Sequence, residues 1–114
     1  MNPGNSTIIY PVRDYAKVKK LYNNFLGTAP LMDEANYVEY KVGNQDIGLD
    51  PYGTIQGMTG PVGYYQVSDI KKSLQGLLDD GAQKMQDIKD VGRGKLIAIV
   101  KDLDGNLIGL IQMP

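Results

Sequence analysis

The side chains that most often carry out enzyme chemistry are scarce in this chain. Its 114 residues include no histidine and no cysteine, so the usual general base, the thiolate nucleophile and the ligands of softer metals are missing. Carboxylates remain: Glu39 lies in the tyrosine-containing segment NYVEYKVG, and Asp46 and Asp50 lie in the following segment, QDIGLD. A carboxylate in an apolar pocket can act as an acid or base near neutral pH. The sequence therefore permits carboxylate chemistry and disfavours thiol, serine-triad and zinc chemistry.

Two glycines interrupt apolar segments that otherwise have the composition of strands. Gly48 lies in QDIGLD and Gly109 lies in NLIGLIQM. A glycine inside a strand packs no side chain and usually marks a bend, a bulge or the close approach of another group. Both candidate strands therefore have a position that the chain leaves without a side chain.

The chain contains two similar halves. YPVRD at residues 10–14 matches YQVSD at residues 65–69, and the triplet IGL occurs at residues 47–49 and 108–110. The matching segments follow the same order, which favours a duplicated module over chance. A stretch rich in Gly and Thr near residues 51–60 has the composition of a linker.

Each half has the pattern of a strand, a helix and two or three further strands. Asp14 and Asp69 are placed to cap the helices, and Gly27 and Gly81 to end them. Apolar residues predict the buried helix faces: Val18, Leu21, Tyr22 and Phe25 in the first helix, and Ile70, Leu74, Leu77 and Leu78 in the second. Residues 28–36 and 83–91 can each hold a short extra strand, while GN at 43–44 and DG at 104–105 predict hairpin turns.

These patterns predict an α+β fold of two βαβββ modules that form a curved, mixed sheet cup with helices on its outer face. We expect one domain over residues 1–114, with module 1 at about 6–50, a linker at about 51–60 and module 2 at about 61–112. Strand alternation places Tyr10, Tyr40 and Tyr65 under the helices.

Composition narrows the range of partners. The chain has 12 basic and 13 acidic residues and a net charge of −1, which disfavours nucleic acid as a partner. Its N-terminus has no leader-peptide pattern, and no apolar run has the length of a bilayer span. We therefore expect a cytoplasmic protein that binds neither nucleic acid nor membrane.

The residues resemble the vicinal oxygen chelate superfamily, which includes glyoxalases, extradiol dioxygenases and bleomycin resistance proteins. The resemblance rests on the duplicated V-x-D before each helix and on DLDGNLIGL at residues 102–110, and it covers roughly residues 6–112. In metal-dependent members, up to four ligands line the cup. The resemblance implies that these positions are Thr7, Gly48, Val62 and Gly109, none of which offers the usual His, Gln or Glu.

The resemblance therefore implies a cup without the metal of the superfamily, and we expect no cofactor. A shift of the strand register by two residues would instead bring Asp46 or Asp50 to the metal position of the first half, and Gln66 shares a face with Val62. A hard cation held by Asp46, Asp50 and Gln66 is the alternative. The glycines would leave volume for a flat organic ligand, or they would serve only to bend the strands. The residues predicted to bind a ligand are Thr7, Ile9, Tyr37, Glu39, Gly48, Asp50, Val62, Tyr64, Gln66, Ile99 and Gly109.

The function that these observations favour is the metal-free binding of a small aromatic or amphipathic molecule in the cup. One alternative is an enzyme of the glyoxalase or dioxygenase type, a lyase or isomerase for example, that uses carboxylates or an atypical metal site. Another is an interaction module with no small ligand. The resemblance also implies a homodimer as the partner arrangement.

Overall fold

The computed structural model describes residues 4–55 and 57–114. The chain folds into two compact units, an N-terminal module, Thr7–Val62, and a C-terminal module, Gly63–Pro114, to which the described residues 4–6 also belong. The predicted α+β class with two βαβββ modules is confirmed. Residues 1–3, which the leader-peptide expectation concerns, lie outside the described residues. So does Gln56, which belongs to the predicted linker.

The N-terminal module combines a mixed sheet with one helix. Its elements are β1 (Asn5–Pro11), α1 (Tyr15–Leu26), β2 (Met32–Glu34), β3 (Tyr37–Val42) and β4 (Gln45–Asp50). The strands follow the order β2-β3-β4-β1. The β2–β3 and β3–β4 pairs are antiparallel, while β1 and β4 are parallel, as expected when a helix separates the first strand from its neighbour.

The C-terminal module repeats this plan. Its elements are β5 (Val62–Gln66), α2 (Ile70–Asp79), β6 (Gln83–Asp90), β7 (Leu96–Lys101) and β8 (Leu107–Gln112). The strands follow the order β5-β8-β7-β6, with β5 and β8 parallel and the other pairs antiparallel. The extra strands predicted within residues 28–36 and 83–91 are therefore present as β2 and β6.

The predicted helix caps are present. The carboxylates of Asp14 and Asp69 accept hydrogen bonds from backbone N–H groups three residues later, at 3.3 and 3.2 Å, which satisfies donors that the first helical turn leaves unpaired. Gly27 ends α1 in the left-handed conformation, with φ of 71°, which glycine adopts without steric cost. Gly81 follows the end of α2, also with positive φ.

The apolar face of α2 agrees with the prediction, whereas that of α1 agrees only in part. Ile70 and Leu74 of α2 are buried against the sheet. In α1, by contrast, the side chains of Leu21 and Phe25 are 60% and 79% exposed, so their predicted place in the core is wrong. Val18 and Tyr22, which were also predicted on this face, do pack against the core, together with Tyr15 and Leu26.

The helices of the described residues are short. Helix α1 has 12 residues and α2 has 10. Neither of these helices has the length and apolar character needed to cross a bilayer.

Candidate functional site

Each module has one sheet face covered by its helix and an opposite face, which we call the helix-free face. In the N-terminal module, Val38, Tyr40 and Leu49 pack on the helix side, so the alternate residues of the strands lie on the helix-free face. In the C-terminal module, Ala98, Val100 and Leu110 pack under α2. By this alternation, the residues predicted to bind a ligand lie on the helix-free faces.

On the helix-free face of the N-terminal module, the tyrosine ring of Tyr37 lies over Gly48. A Cβ atom at Gly48 would lie 2.7 Å from Cζ and 2.8 Å from Cε1 of Tyr37, and it would also collide with the hydroxyl oxygen. Gly48 pairs in register with Glu39, two residues along β3 from Tyr37, so the ring reaches the glycine diagonally. The glycine is therefore required by the close approach of an aromatic ring.

The C-terminal module has the same combination with different geometry. Tyr64 on β5 lies directly opposite Gly109 on β8, and a Cβ atom at Gly109 would lie 2.6 Å from Cδ2 and 2.7 Å from Cγ of Tyr64. Tyr64 is 3% exposed, and Ile99, which pairs with Gly109 from the other side, is also buried. This ring is therefore sealed into its module.

The expectation that both glycines leave open volume for a ligand is wrong. Tyrosine rings fill the space above each glycine, because a side chain from a neighbouring strand position covers the gap. Whether the predicted residues bind a ligand stays a prediction.

The residues at the positions where the family resemblance implies metal ligands do not fit a metal ion. Thr7 and Val62 are buried and offer one hydroxyl between them, and neither glycine position has room for a carboxylate while its tyrosine is in place. Across the described residues, no group of three or more His, Cys, Asp or Glu is arranged to hold a metal. The donor set is too poor even for hard cations, which take six or more oxygen ligands.

The carboxylates proposed as acids, bases or alternative ligands each have a partner. Tyr37 donates its hydroxyl proton to Oε1 of Glu39 at 3.2 Å, and Lys41 forms an ion pair with Asp46 at 3.4 Å. Asp50 accepts a hydrogen bond from the backbone N–H of Tyr52 at 2.9 Å, which makes it a turn former. Glu39 is therefore the carboxylate that lies directly beside the ring over Gly48.

The remaining predicted residues differ in accessibility. Ile9 pairs with Gly48 from β1 and is half-buried, whereas Gln66 at the end of β5 is exposed. Gln66 pairs with Ile111, not with Gly109. The structure thus brings together Ile9, Tyr37, Glu39 and Gly48 in one module, and Tyr64, Ile99 and Gly109 in the other.

A polar cluster that the sequence interpretation missed joins α1 to β2. Tyr15 donates to Oδ1 of Asp33 at 2.6 Å, and Lys19 donates to Oδ2 at 2.9 Å. The Lys19 ammonium also lies 5.0 Å from the centre of the Tyr15 ring, within the range of a cation–π contact. The i, i+4 spacing of Tyr15 and Lys19 was a signal for a shared partner.

This cluster changes the pKa values of its members. The hydrogen bond to Asp33 raises the pKa of Tyr15, because the neutral phenol is the form that donates. Hydrogen bonds from Tyr15 and then Lys19 lower the pKa of Asp33, and the same carboxylate raises the pKa of Lys19. The shifts favour the paired form, so the cluster anchors β2, a three-residue edge strand, to the helix.

Two grooves along α2 were also not predicted. The larger, of about 450 Å³, has an apolar floor that includes Val67, Ile108 and Leu110, with Gly76 of α2 at its side. The smaller, of about 130 Å³, lies beside Leu103 in the β7–β8 turn. A Cβ atom at Gly76 would meet nothing within 4 Å, so the absence of a side chain there widens the larger groove.

Comparison with known proteins supports the fold. The family description "Glyoxalase/Bleomycin resistance protein/Dioxygenase superfamily" matches residues 6–110. No curated protein sequence matches the chain.

Solved structures resemble the chain over almost its whole length. A methylmalonyl-CoA epimerase from Mycobacterium tuberculosis has a TM-score of 0.76 and 18% identity, covering 99% of this chain and 89% of that one. An NAD-dependent benzaldehyde dehydrogenase from Legionella pneumophila has a TM-score of 0.76 and 16% identity, covering 95% and 98%. A glyoxalase/bleomycin resistance protein/dioxygenase superfamily member from Vibrio splendidus 12B01 has a TM-score of 0.72 and 16% identity, covering 94% and 97%.

At these identities the solved structures establish the fold and not an activity. The family match covers nearly the whole chain and includes both V-x-D segments and the DLDGNLIGL segment. The chain therefore belongs to the glyoxalase/bleomycin resistance protein/dioxygenase superfamily.

Proposed function

We propose that this protein binds a small aromatic or amphipathic molecule on the helix-free side of its sheet and that it does so without a metal ion. The observation that carries the proposal is the tyrosine-covered glycine in each module, at positions where the family resemblance implies metal ligands. A member that kept metal chemistry would need donor side chains at these positions, and here aromatic surface takes their place.

The helix-free face of the N-terminal module has the mixed character that small-molecule sites require. Tyr37 contributes a flat ring, and Ile9 adds apolar surface beside it. Glu39 and the Lys41–Asp46 pair contribute charged groups that are partly accessible. Sites of this kind use apolar surface for affinity and a few polar groups for orientation, which favours a ligand with an aromatic or aliphatic body and a polar substituent.

Similar structures include a methylmalonyl-CoA epimerase in complex with methylmalonyl-CoA and NH4+. That protein is in complex with methylmalonyl-CoA on a fold of this type. The proposal for this chain takes from it only that the fold accommodates small organic molecules.

The metal-free part of the proposal is tested by elemental analysis. The protein, purified without a histidine tag and dialysed against buffer containing equimolar Mg²⁺, Mn²⁺ and Zn²⁺, is expected to retain far less than one metal ion per chain. A stoichiometric metal that survives dialysis and is lost in the Asp46→Asn variant would overturn it.

The binding part is tested by thermal unfolding in the presence of planar aromatic acids, aromatic amines, phenols and amphipathic antibiotics. A ligand at about 100 times its Kd stabilises the native state by about 2.7 kcal/mol, which raises the midpoint by several degrees. The stabilisation should fall in Glu39→Leu and be unchanged in Asp104→Asn, which alters an exposed turn residue. Absence of any stabilisation across all four compound classes would contradict the proposal.

We also propose that two copies of the chain pair. The supporting observation is the exposure of Leu21 and Phe25 on α1, because neighbouring exposed apolar side chains often mark an interface. Sedimentation equilibrium should give twice the chain mass of 12.5 kDa. Phe25→Lys should shift the equilibrium towards the monomer, and a monomer at high concentration in the unmodified protein would refute the pairing.

A further inference from the structure

We infer that the surface over Gly48 is a binding site for a phenol-type ring, which the protein's own Tyr37 occupies when no ligand is bound. The inference rests on the proposed function and specifies its ligand class and location within the N-terminal module. It follows from three features of this surface: the glycine base without a side chain, the carboxylate beside it and its accessibility.

The base of the site is the backbone of β4. The three atoms nearest to a Cβ at Gly48 are the hydroxyl oxygen, Cζ and Cε1 of Tyr37, so the hydroxyl-bearing end of the ring lies closer to this backbone than any residue with a side chain would allow. A side chain at this position would exclude that end of the ring. The glycine therefore makes a seat for the hydroxyl-bearing end of an aromatic ring.

The residue paired with Gly48 offers a hydrogen-bond acceptor at the hydroxyl end of the ring. Oε1 of Glu39 accepts the Tyr37 hydroxyl proton at 3.2 Å. A phenol or an aromatic amine in the same seat could donate to the same oxygen, and hydrogen bonds to a charged acceptor are stronger than neutral ones. The carboxylate thus selects ligands whose ring carries a hydrogen-bond donor at the end that lies beside Glu39.

The site is accessible, unlike its counterpart in the C-terminal module. Tyr37 and Glu39 are half-buried, and Lys41 nearby is exposed. Tyr64 over Gly109 is almost fully buried, so an external ring cannot replace it without opening that module. Of these two tyrosine–glycine pairs, only the one at Gly48 can exchange its ring for a ligand's.

The test removes the resident ring and supplies a small phenol. Tyr37→Ala should bind 4-methylphenol saturably, and it should prefer 4-methylphenol to toluene by about tenfold, since only the phenol can donate to Glu39. Tyr37→Ala combined with Glu39→Leu should lose this preference while still binding toluene. Tyr37→Ala combined with Gly48→Ala should bind neither, because the added methyl group fills the seat. Binding is measured by NMR titration of labelled protein, which also reports whether each variant is folded.

The unmodified protein provides the second arm. It should bind 4-methylphenol at least tenfold more weakly than Tyr37→Ala, because the ligand must first displace the resident ring. The Tyr37 ring signals should shift as it binds.

The outcomes separate this inference from the proposed function. A folded Tyr37→Ala variant that binds neither compound, or that binds both equally, would overturn the inference. If the unmodified protein binds a compound from the screen with the same affinity in Gly48→Ala, the proposed function stands and the inference fails. If the screen gives no ligand but Tyr37→Ala binds 4-methylphenol as described, the seat is confirmed and the proposed function fails.

Discussion

The two modules share an order of elements but differ in where they bury apolar surface. In the C-terminal module, α2 buries Ile70 and Leu74, and the helix-free face is closed by buried Tyr64. In the N-terminal module, α1 has no buried residue, and the helix-free face keeps Glu39 partly accessible. Duplicated modules therefore need not share a role, since one can supply rigid packing while the other retains surface for binding.

The tyrosine–glycine pairs make this difference measurable. Both glycines are buried and both are covered by a ring, but only the ring of Tyr37 lies where solvent can reach it. Substitutions at the two glycines should therefore differ in cost, with the sealed pair costing more.

The largest effect is expected for Gly109→Glu. The substitution places a charged side chain where a Cβ alone would lie 2.6 Å from the Tyr64 ring, in a region without accessible solvent. Overpacking and the burial of a carboxylate together should lower the free energy of unfolding by on the order of 4 kcal/mol, measured by urea denaturation. Gln83→Glu, which adds the same group to an exposed strand position, should change it by less than about 0.5 kcal/mol. Equal stabilities of the two variants would show that Tyr64 does not cover Gly109.

The helices should show the next largest difference. Leu74→Ala in α2 removes a buried side chain and should destabilise the protein by about 3 kcal/mol. Leu21→Ala in α1 removes a side chain that is 60% exposed and should cost less than about 0.5 kcal/mol. Urea denaturation of both variants at a protein concentration that keeps them monomeric makes the comparison. A loss above about 2 kcal/mol for Leu21→Ala would contradict the observed orientation of α1.

The sequence was sufficient for the order of elements because the signals for strands, caps and turns are local. Asp14 and Asp69 precede apolar periodic segments, and each accepts the predicted backbone hydrogen bond. The face of α1 was predicted correctly at Val18 and Tyr22 but wrongly at Leu21 and Phe25, because two apolar stripes fit the helical period. The stripe containing Leu21 and Phe25 and the stripe containing Tyr22 and Leu26 overlap, and only the position of the sheet decides between them.

The candidate site was predictable in position but not in content. Strand alternation correctly placed Gly48 and Gly109 on the face opposite the helices, as did the match to the superfamily. A tyrosine ring covers each of these glycines because of the direction in which the ring extends across its sheet. Tyr37 reaches Gly48 diagonally, whereas Tyr64 lies directly opposite Gly109. The residues that face each other across two strands are set by the register of the pairing. The sequence of a single strand does not determine that register.

A smaller effect is expected for Gly48→Ala. The added methyl group should displace the Tyr37 ring, and this half-buried ring can move towards solvent, so the loss should be about 1–2 kcal/mol. In a Tyr37→Ala background the same substitution should cost almost nothing, because the two residues are coupled only through their contact. Gly76→Ala is the matched control, since its Cβ would meet open space and should stabilise α2 by about 0.5–1 kcal/mol. A loss for Gly48→Ala that persists without Tyr37 would assign the glycine to backbone bending instead.

The smallest effect concerns the Tyr15–Lys19–Asp33 cluster, which anchors β2 in the N-terminal module and has no counterpart with shifted pKa values on α2 among the described residues. Because the pKa of Asp33 is lowered from its ordinary value of 3.8, its contribution to stability is present above that pH and is lost as the pH falls through the folded-state pKa. The pKa values of Tyr15 and Lys19 are raised from 10.0 and 10.5, so their contributions are present below those values and are lost as the pH rises above them.

The stability difference between the unmodified protein and Asp33→Asn should therefore be constant near neutral pH and shrink at both extremes. Denaturation profiles at pH 3, 7 and 11 test this, with Asp14→Asn as a control for helix capping. A difference that does not change between pH 7 and pH 3 would show that the Asp33 carboxylate does not anchor β2.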